Sequence, residues 1–262
     1  MGETAVRTNG LGHAIFALSM MGLGLLSLLF HDFALQWQPV PAGFPARETL
    51  AYVSGAVLLA GGLGLFVRRL QPWAALLLAV ELLVWVLAQL PQVLPAAANV
   101  ATWLPVAEDV VLLCGALSVA SQLDAANLGR PAVARGVRVV FGLACLVFGV
   151  SHFVYAGFTA QMIPAWLPFH APLAYLTGAG HAAAGLALIF DVLPRLAAAC
   201  EAAMMSLFVL LVHVPMVAAH PPAAQMQLDW TMLCVAAGLS GAAWSLARGL
   251  SDRPWGVKAR AE

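Results

Sequence analysis

The chain has 262 residues, of which 62% are hydrophobic and 9% are charged, and its mean hydropathy is +0.90. Soluble domains carry about 25% charged residues, so this composition cannot cover a water-facing surface and excludes both a soluble globular enzyme and a disordered chain. Twelve basic residues balance twelve acidic ones, which leaves no basic surplus for nucleic acid. The class that remains is an all-α polytopic membrane protein.

Eight apolar segments are close to the length that a membrane-spanning helix needs, which is about 20 residues. They are continuous and lack the period-two alternation of barrel strands, so they favour helices. Most prolines fall between the segments. Pro215 instead lies near the end of the seventh segment and predicts a bend or an end of that helix. The predicted spans are 11–30, 50–67, 73–91, 105–123, 136–156, 173–190, 196–217 and 230–247.

The basic residues predict the orientation of the chain. All but Arg47 fall on one side of the eight spans, and loops that carry Lys and Arg stay in the cytoplasm. We therefore expect a multi-pass protein of the bacterial inner (plasma) membrane, in contact with lipid and with both termini in the cytoplasm. Tryptophans on the other side fit an aromatic belt: Trp37, Trp103, Trp166 and Trp230. The residues predicted to be cytoplasmic are Arg7, Arg68, Arg69, Arg130, Arg135, Arg138, Arg195, Arg248, Arg253, Lys258 and Arg260.

The two halves of the chain resemble each other. The string LAYVSGA at 50–56 recurs as LAYLTGA at 173–179, which is 123 residues further on. Four spans per half would give both halves the same orientation in the membrane, which is a parallel repeat. Four helices with short connections can form an up-down bundle. We therefore predict two tandem four-helix bundles, in residues 1–127 and 128–262.

Small and polar residues extend the repeat. His31 falls near His152, and Asp109 falls near Asp229, with small gaps. Glycines recur seven residues apart on one helix face, and small residues let membrane helices approach closely. The spaced glycines are Gly55 and Gly62, Gly142 and Gly149, and Gly178 and Gly185.

Three histidines are the main candidate pocket residues, since an ionisable residue inside a span is costly and is a functional candidate by default. His181 is eight residues into the sixth predicted span, ~12 Å deep. It lies between Gly178 and Gly185 on the face turned toward the bundle. His152 and His213 lie a few residues from the outer ends of their spans. We predict that the three meet in the outer half of the second bundle, at a pocket that opens outward.

Three interpretations of these histidines stay open. They are structural side chains hydrogen-bonded to Ser, Thr or backbone groups, or a proton-handling or quinone-contacting site, or ligands of a metal or haem. Imidazole titrates near neutral pH and can donate to a quinone carbonyl. No H-x-x-x-H or H-E-x-x-H pair supports metal binding, and the four cysteines include no C-x-x-C pair.

Carboxylates inside the spans are secondary candidates. Glu81 lies near the middle of the third span, and Glu201 is five residues into the seventh. Lone carboxylates at such depth are protonated or partnered within the bundle. Glu108 and Asp109 follow Pro105 at the predicted start of the fourth span, where we expect them to complement the helix dipole.

Four motifs of the second half are informative together: 148–153 (FGVSHF), 162–168 (MIPAWLP), 173–178 (LAYLTG) and 184–188 (AGLAL). They resemble the DoxX family of small bacterial membrane proteins, whose members usually have four membrane helices. The resemblance implies an association with respiratory or sulfur-oxidising quinone chemistry and with oxidative-stress complexes. Tyr175 and Trp166 lie in these motifs and are further pocket candidates.

The chain departs from the pattern of this family at polar positions. Where related sequences usually carry Glu in the sixth span, this chain has His181, and its first half has Leu58. Where Asn is usual late in the next helix, this chain has His213, and its first half has Gln89. These departures indicate one retained site in the second half and a first half that serves as scaffold.

The expected function is that of a redox-associated accessory subunit that contacts quinone or a membrane oxidoreductase. No electron-carrying group is visible in the sequence, so a cofactor or partner must supply the electron chemistry, and whether the chain is itself an enzyme stays open. The alternatives are a small-molecule transporter or binding protein, which tandem parallel repeats suit, and a non-catalytic assembly factor.

Overall fold

A computed structural model describes residues 10–219 and 222–256. Every regular element in this part of the chain is helical. Eight of its helical runs are long and apolar enough to cross a membrane, which confirms the predicted all-α polytopic fold. Three residues used to predict the orientation, Arg7, Lys258 and Arg260, lie outside the described residues.

Six spans are single helices that are continuous from end to end. The third span continues from α3 into the 3₁₀ turn Leu94–Ala96, and the seventh span is interrupted. A short helix, α6, lies between α5 and α7. The seventh span runs over Pro194–Ala218. The helices are α1 (Leu11–Phe30), α2 (Arg47–Phe66), α3 (Gln71–Val93), α4 (Val100–Gln122), α5 (Pro131–Val154), α6 (Ala156–Met162), α7 (His170–Phe190), α8 (Pro194–Phe208), α9 (Val214–Ala218) and α10 (Ala223–Gly249).

The seventh span is interrupted just before Pro215, where the sequence predicts a bend or an end of the helix. A π-helical turn, Val209–His213, separates α8 from α9. Pro215 lies at the start of α9. Proline has no N–H for the carbonyl four residues earlier and its ring crowds that carbonyl, so the preceding turn widens. His213 is the last residue of this turn and directly precedes α9.

The fourth span begins earlier than predicted. Asn99 caps α4, because its side-chain oxygen accepts a hydrogen bond from the Ala101 N–H at 3.0 Å. Pro105 therefore lies inside α4 rather than before it. Because proline has no N–H, the carbonyl of Ala101 receives no hydrogen bond from residue 105, and Ala101 lies in the first turn of the helix. Asparagine before an apolar run is the start signal that would have given the correct boundary.

Corresponding helices form the main packing pairs in both halves. In the first half the closest pairs are α1 with α2 and α3 with α4; in the second half they are α5 with α7 and α8 with α10. The halves also pack on each other, through α4 with α5, α10 with α1, and α10 with α4. One apolar cluster consequently joins residues of both halves, such as Phe16, Leu112, Phe141 and Leu239. The core is continuous across residue 128, and the division into two domains stays a prediction.

Glycines allow the first two spans of each half to cross closely. A Cβ atom on Gly24 would lie 2.5 Å from the carbonyl oxygen of Gly55. At the corresponding crossing of α5 and α7, a Cβ on Gly149 would lie 2.9 Å from the carbonyl oxygen of Gly178. Backbone thus meets backbone at both crossings, which is the packing that small residues permit in membrane helices.

The same crossings identify the first-half equivalent of His152. Gly178 faces the side chain of His152, whereas Gly55 faces the side chain of Ser27. Ser27, one helical turn before His31, therefore occupies the matching position, and the alignment of His31 with His152 is wrong. His31 instead ends α1 in a left-handed conformation and is hydrogen-bonded through Nδ1 to the Tyr52 hydroxyl at 2.6 Å.

The one basic residue on the opposite side of the spans is neutralised. Arg47 forms an ion pair with Asp32, and its guanidinium lies 5.5 Å from the centre of the Phe33 ring. The orientation rule counts lysines and arginines rather than net charge, so this pairing does not remove Arg47 from the count. Arg47 is a single exception to the distribution of the other basic residues.

We predict that the stability of the protein depends on the close helix crossings, which have no room for a larger side chain. Gly185→Ala would place a Cβ atom 2.6 Å from the carbonyl oxygen of Gly142, whereas a Cβ at Gly136 meets nothing within 4 Å. Overpacking of this kind costs about 1–3 kcal/mol. Gly185→Ala should therefore lower the thermal unfolding midpoint in detergent, while the matched Gly136→Ala should leave it unchanged or raise it. Equal midpoints for the two variants would contradict this packing.

Candidate functional site

A partly open cavity of about 120 Å³ lies between the helices. Its walls include late residues of α5, early residues of α4 and Trp37, so it lies toward the loops that follow α1 and α5. One water molecule needs only ~10–15 Å³ of such space, whereas pockets for drug-sized ligands reach about 300–1,000 Å³. The cavity therefore has room for a small ring or headgroup rather than for a large ligand.

His152, His181 and His213, which the sequence analysis singled out, all line this cavity. The rings of His152 and His181 meet edge to face, with their centres 5.0 Å apart. His213 reaches the cavity from the π-helical turn. The structure thus brings the three histidines together in one place, and their role as a binding site stays a prediction.

His181 is hydrogen-bonded to Glu201. Its Nδ1 lies 2.7 Å from Oε1 of Glu201, and the two side chains are 1% and 0% exposed. This bond occupies Nδ1 and leaves Nε2 as the ring nitrogen available to the cavity. The second oxygen, Oε2, is buried and accepts no hydrogen bond from a nitrogen or oxygen atom of the described residues, and the buried Cys145 thiol interacts with the Glu201 carboxyl group. Sequence reasoning placed each residue in a span but did not predict the pair.

His152 has a separate partner. Its Nδ1 lies 2.9 Å from the Thr177 hydroxyl oxygen, and that hydroxyl already donates to the carbonyl oxygen of Leu173 at 2.9 Å. The hydroxyl therefore accepts from His152, which places a proton on Nδ1. In the neutral imidazole Nε2 is then a hydrogen-bond acceptor. The His152 ring also stacks on Phe208, with the ring centres 6.1 Å apart.

The first half of the chain supplies part of the wall, which sequence reasoning missed. Trp37 and Glu108 line the cavity, and the Trp37 indole N–H donates to Oε2 of Glu108 at 2.5 Å. Trp37 is 4% exposed, so its assignment to the aromatic belt is wrong. Its predicted place at the lipid boundary fails because the loop after α1 folds inward over the cavity. The pocket is accordingly shared by both halves rather than contained in the second.

Glu108 and Asp109 do not complement the dipole of α4, contrary to the expectation from sequence. Because α4 begins at Val100, both carboxylates lie about two turns inside the helix. Asp109 accepts a hydrogen bond from the Gln89 amide and is 2% exposed. It lines a second cavity of about 10 Å³, which is close to the size of one water molecule.

Three other candidates lie away from the main cavity. Tyr175 is 51% exposed and stacks on Phe153, and Trp166 is 67% exposed. Membership of a sequence motif does not fix the direction of a side chain, and Tyr175 lies off the buried stripe of α7. Glu81 belongs to a polar cluster of the first half, where it accepts hydrogen bonds from Ser54 at 2.5 Å and from the Trp85 indole at 2.9 Å.

Comparison with known families and structures gives one match. A domain of unknown function, DUF8561, matches residues 141–247, which is less than half of the chain. The matched region contains the three histidines and Glu201 but not Trp37 or Glu108. No curated protein and no solved structure matches the chain. The resemblance to the DoxX family therefore stays a prediction.

We predict that the His181–Glu201 pair contributes strongly to stability. Removing one partner of a buried charged or hydrogen-bonded pair costs about 3–5 kcal/mol, because the other partner is left unsatisfied. Glu201→Ala should therefore lower the unfolding midpoint in detergent far more than Glu201→Gln, whose amide oxygen still accepts from His181. Glu81→Gln serves as a control carboxylate outside the cavity. If the Glu201→Ala and Glu201→Gln variants have the same unfolding midpoint, the His181–Glu201 pair does not contribute to stability in this way.

Proposed function

We propose that the cavity binds the headgroup of a quinone and that the protein acts as a membrane subunit in quinone redox chemistry. The observation that carries this proposal is the convergence of His152 and the His181–Glu201 pair on one aromatic-walled cavity. Phe148 and Phe208 flank His181, with ring centres 5.5 and 5.9 Å from its own. Such walls suit a flat ring, and imidazole nitrogens suit its oxygens.

The buried pair also suits the chemistry of a quinone. Reduction of a quinone to a quinol takes two electrons and two protons, and the protons must reach the ring oxygens. A protonated His181 can donate from Nε2 to a carbonyl oxygen, and Glu201 stabilises the positive charge of that imidazolium through its hydrogen bond to Nδ1. The electrons must come from a partner, which we propose is a membrane oxidoreductase, since protein side chains alone do not carry them.

The similarity of the second half to the DoxX family supports the same proposal, since that family is associated with quinone chemistry. The residues that resemble the family include His152 and the helix that carries His181. We therefore propose that the chain is a tandem DoxX-like protein in which the second half retains the site. The first half then serves as a scaffold that also closes the cavity with Trp37.

We further propose that the protein lies in a bacterial inner membrane with both termini in the cytoplasm and the cavity toward the outside. The distribution of arginine supports this orientation. At the proposed cytoplasmic ends of the helices, Asp191 pairs with Arg138 at 3.4 Å and with Arg253 at 2.6 Å.

A second candidate function, transport of a small molecule, is favoured by one observation. The cavity lies where the two halves meet, and transporters built from repeats bind their substrates at such junctions. Transport requires that the cavity open alternately to both sides of the membrane. Labelling of a cysteine introduced at His213 from both sides in turn would favour transport over a fixed quinone site.

We predict that quinone binding depends on His181. Protein purified in mild detergent from quinone-containing membranes should retain quinone, measured by solvent extraction and chromatography. His181→Leu should lower the ratio of quinone to protein about tenfold, the effect of losing ~1.4 kcal/mol of binding energy. Leucine fits the space, because Leu58 lies 123 residues earlier in the repeat and is 2% exposed. The replacement also leaves Glu201 without its partner, so the unfolding midpoint of the variant is measured alongside its quinone content.

Glu81→Gln is the matched control for this experiment, because it changes a membrane-embedded polar residue outside the cavity. It should leave the quinone content unchanged. Wild-type protein that carries no quinone, or His181→Leu protein that carries as much as wild type, would overturn the proposed function.

We also predict the sidedness of two exposed positions. The background for this experiment is a variant in which the exposed Cys200 is replaced by serine. In intact spheroplasts, a membrane-impermeant maleimide should label a cysteine introduced by Gly43→Cys. It should label a cysteine introduced by Asp252→Cys only after the spheroplasts are lysed. The two residues lie in exposed segments at opposite ends of the bundle. Labelling in the reverse pattern would invert the proposed orientation.

A further inference from the structure

Glu108 reaches the cavity from a different wall than the His181–Glu201 pair. It is carried by α4, which packs on α5 and α10, whereas α7 and α8, which carry His181 and Glu201, pack on each other. Both Glu108 and His181 line the cavity. A ligand in the cavity would therefore meet polar groups on two separate walls, one contributed by each half of the chain.

One oxygen of Glu108 is available to a ligand. Oε2 accepts from the Trp37 indole at 2.5 Å. Oε1 has no hydrogen-bond partner among residues 10–219 and 222–256, and it is not among the buried unpartnered atoms of that part of the chain. The carboxyl group is thus oriented by Trp37 on one oxygen and accessible on the other.

We propose that Glu108 is a second ligand-binding residue, and that the site takes a ring with two oxygens in para positions. The oxygen near the second half binds Nε2 of His181, and the oxygen near the first half binds Oε1 of Glu108. This inference rests on the proposed quinone-binding function. It adds the residue that distinguishes a ring with two oxygens from a ring with one.

The chemistry of Glu108 fits either form of such a ligand. As a carboxylic acid it donates to the carbonyl of a quinone, and as a carboxylate it accepts from the hydroxyl of a quinol. Reduction of the ring adds two electrons from the partner oxidoreductase and one proton at each oxygen. His181 and Glu108 would each deliver one of these protons, and oxidation of the quinol reverses both transfers.

Trp37 is the positioning residue of this arrangement, because its indole N–H fixes the direction of the Glu108 carboxyl group. It lies on the 3₁₀ turn Leu35–Trp37, between the main cavity and the small cavity that contains Asp109. Glu108 and Asp109 are adjacent in sequence, yet they line different cavities. Asp109→Asn is therefore a matched control for substitutions of Glu108.

The test compares two small rings, hydroquinone with two para hydroxyl groups and phenol with one. The full chain is placed in quinone-free phospholipid nanodiscs under anaerobic conditions, and binding is measured by ligand-observed NMR titration. Wild-type protein should bind hydroquinone about tenfold more tightly than phenol. Glu108→Leu should reduce the affinity for hydroquinone to that for phenol and leave phenol unchanged. Asp109→Asn should bind both like wild type.

The outcomes separate this inference from the proposed function. If wild-type protein binds both rings with equal affinity, Glu108 is not a ligand-binding residue, while a ring site at His181 stands. If His181→Leu leaves both affinities unchanged, or if neither ring binds to wild-type protein, the proposed function and this inference both fail. The comparison of two rings on wild-type protein needs no substitution, so it remains decisive even if Glu108→Leu does not fold.

Discussion

The hydrogen bond between His181 and Glu201 is the interaction on which the proposed site depends. In hydrocarbon, a polar side chain must find its partner within the protein, and an unpaired ionisable group is expensive. The pair satisfies this constraint at 2.7 Å. The repeat indicates that packing alone does not require it, because Leu58, at the corresponding sequence position, is a buried apolar residue. The buried histidine is therefore a feature of the second half, where its ring lines the main cavity.

The two halves treat their polar groups differently. In the first half, Glu81 accepts from Ser54 and Trp85, and Asp109 accepts from Gln89, so each carboxylate has a donor from the protein. The second half leaves Oε2 of Glu201 and Nδ1 of His213 buried without a nitrogen or oxygen hydrogen-bond partner in the described part of the chain. Buried polar atoms without a hydrogen-bond partner among the described residues also occur in the first half, for example the hydroxyls of Ser27 and Ser118. What distinguishes the second half is that Glu201 and His213 are ionisable groups at or beside the main cavity. The shared core lets the scaffold half also form one wall.

Much of this arrangement could be predicted from sequence, for identifiable reasons. Apolar length gave the eight spans, and the glycines on either side of His181 placed its side chain toward the bundle, because residues three and four apart share a helix face. The partner of His181 and the wall residue Glu108 could not be predicted. Both depend on which helices become neighbours across the two halves, and periodicity within one span does not encode that. The start of α4 differs from the predicted one for a local reason, because the Asn99 side chain caps the helix and Pro105 is accommodated inside it.

The central claim is that His181 offers Nε2 to a quinone ring, and ¹⁵N NMR of histidine-labelled protein in bilayers tests it most directly. Spectra would be recorded with and without a short-chain benzoquinone, using His181→Leu to assign the resonance. We expect the Nε2 resonance of His181 to shift when the quinone is added, while His13, in α1 and outside the cavity lining, does not change. A His181 resonance that stays in place at saturating quinone would contradict the claim.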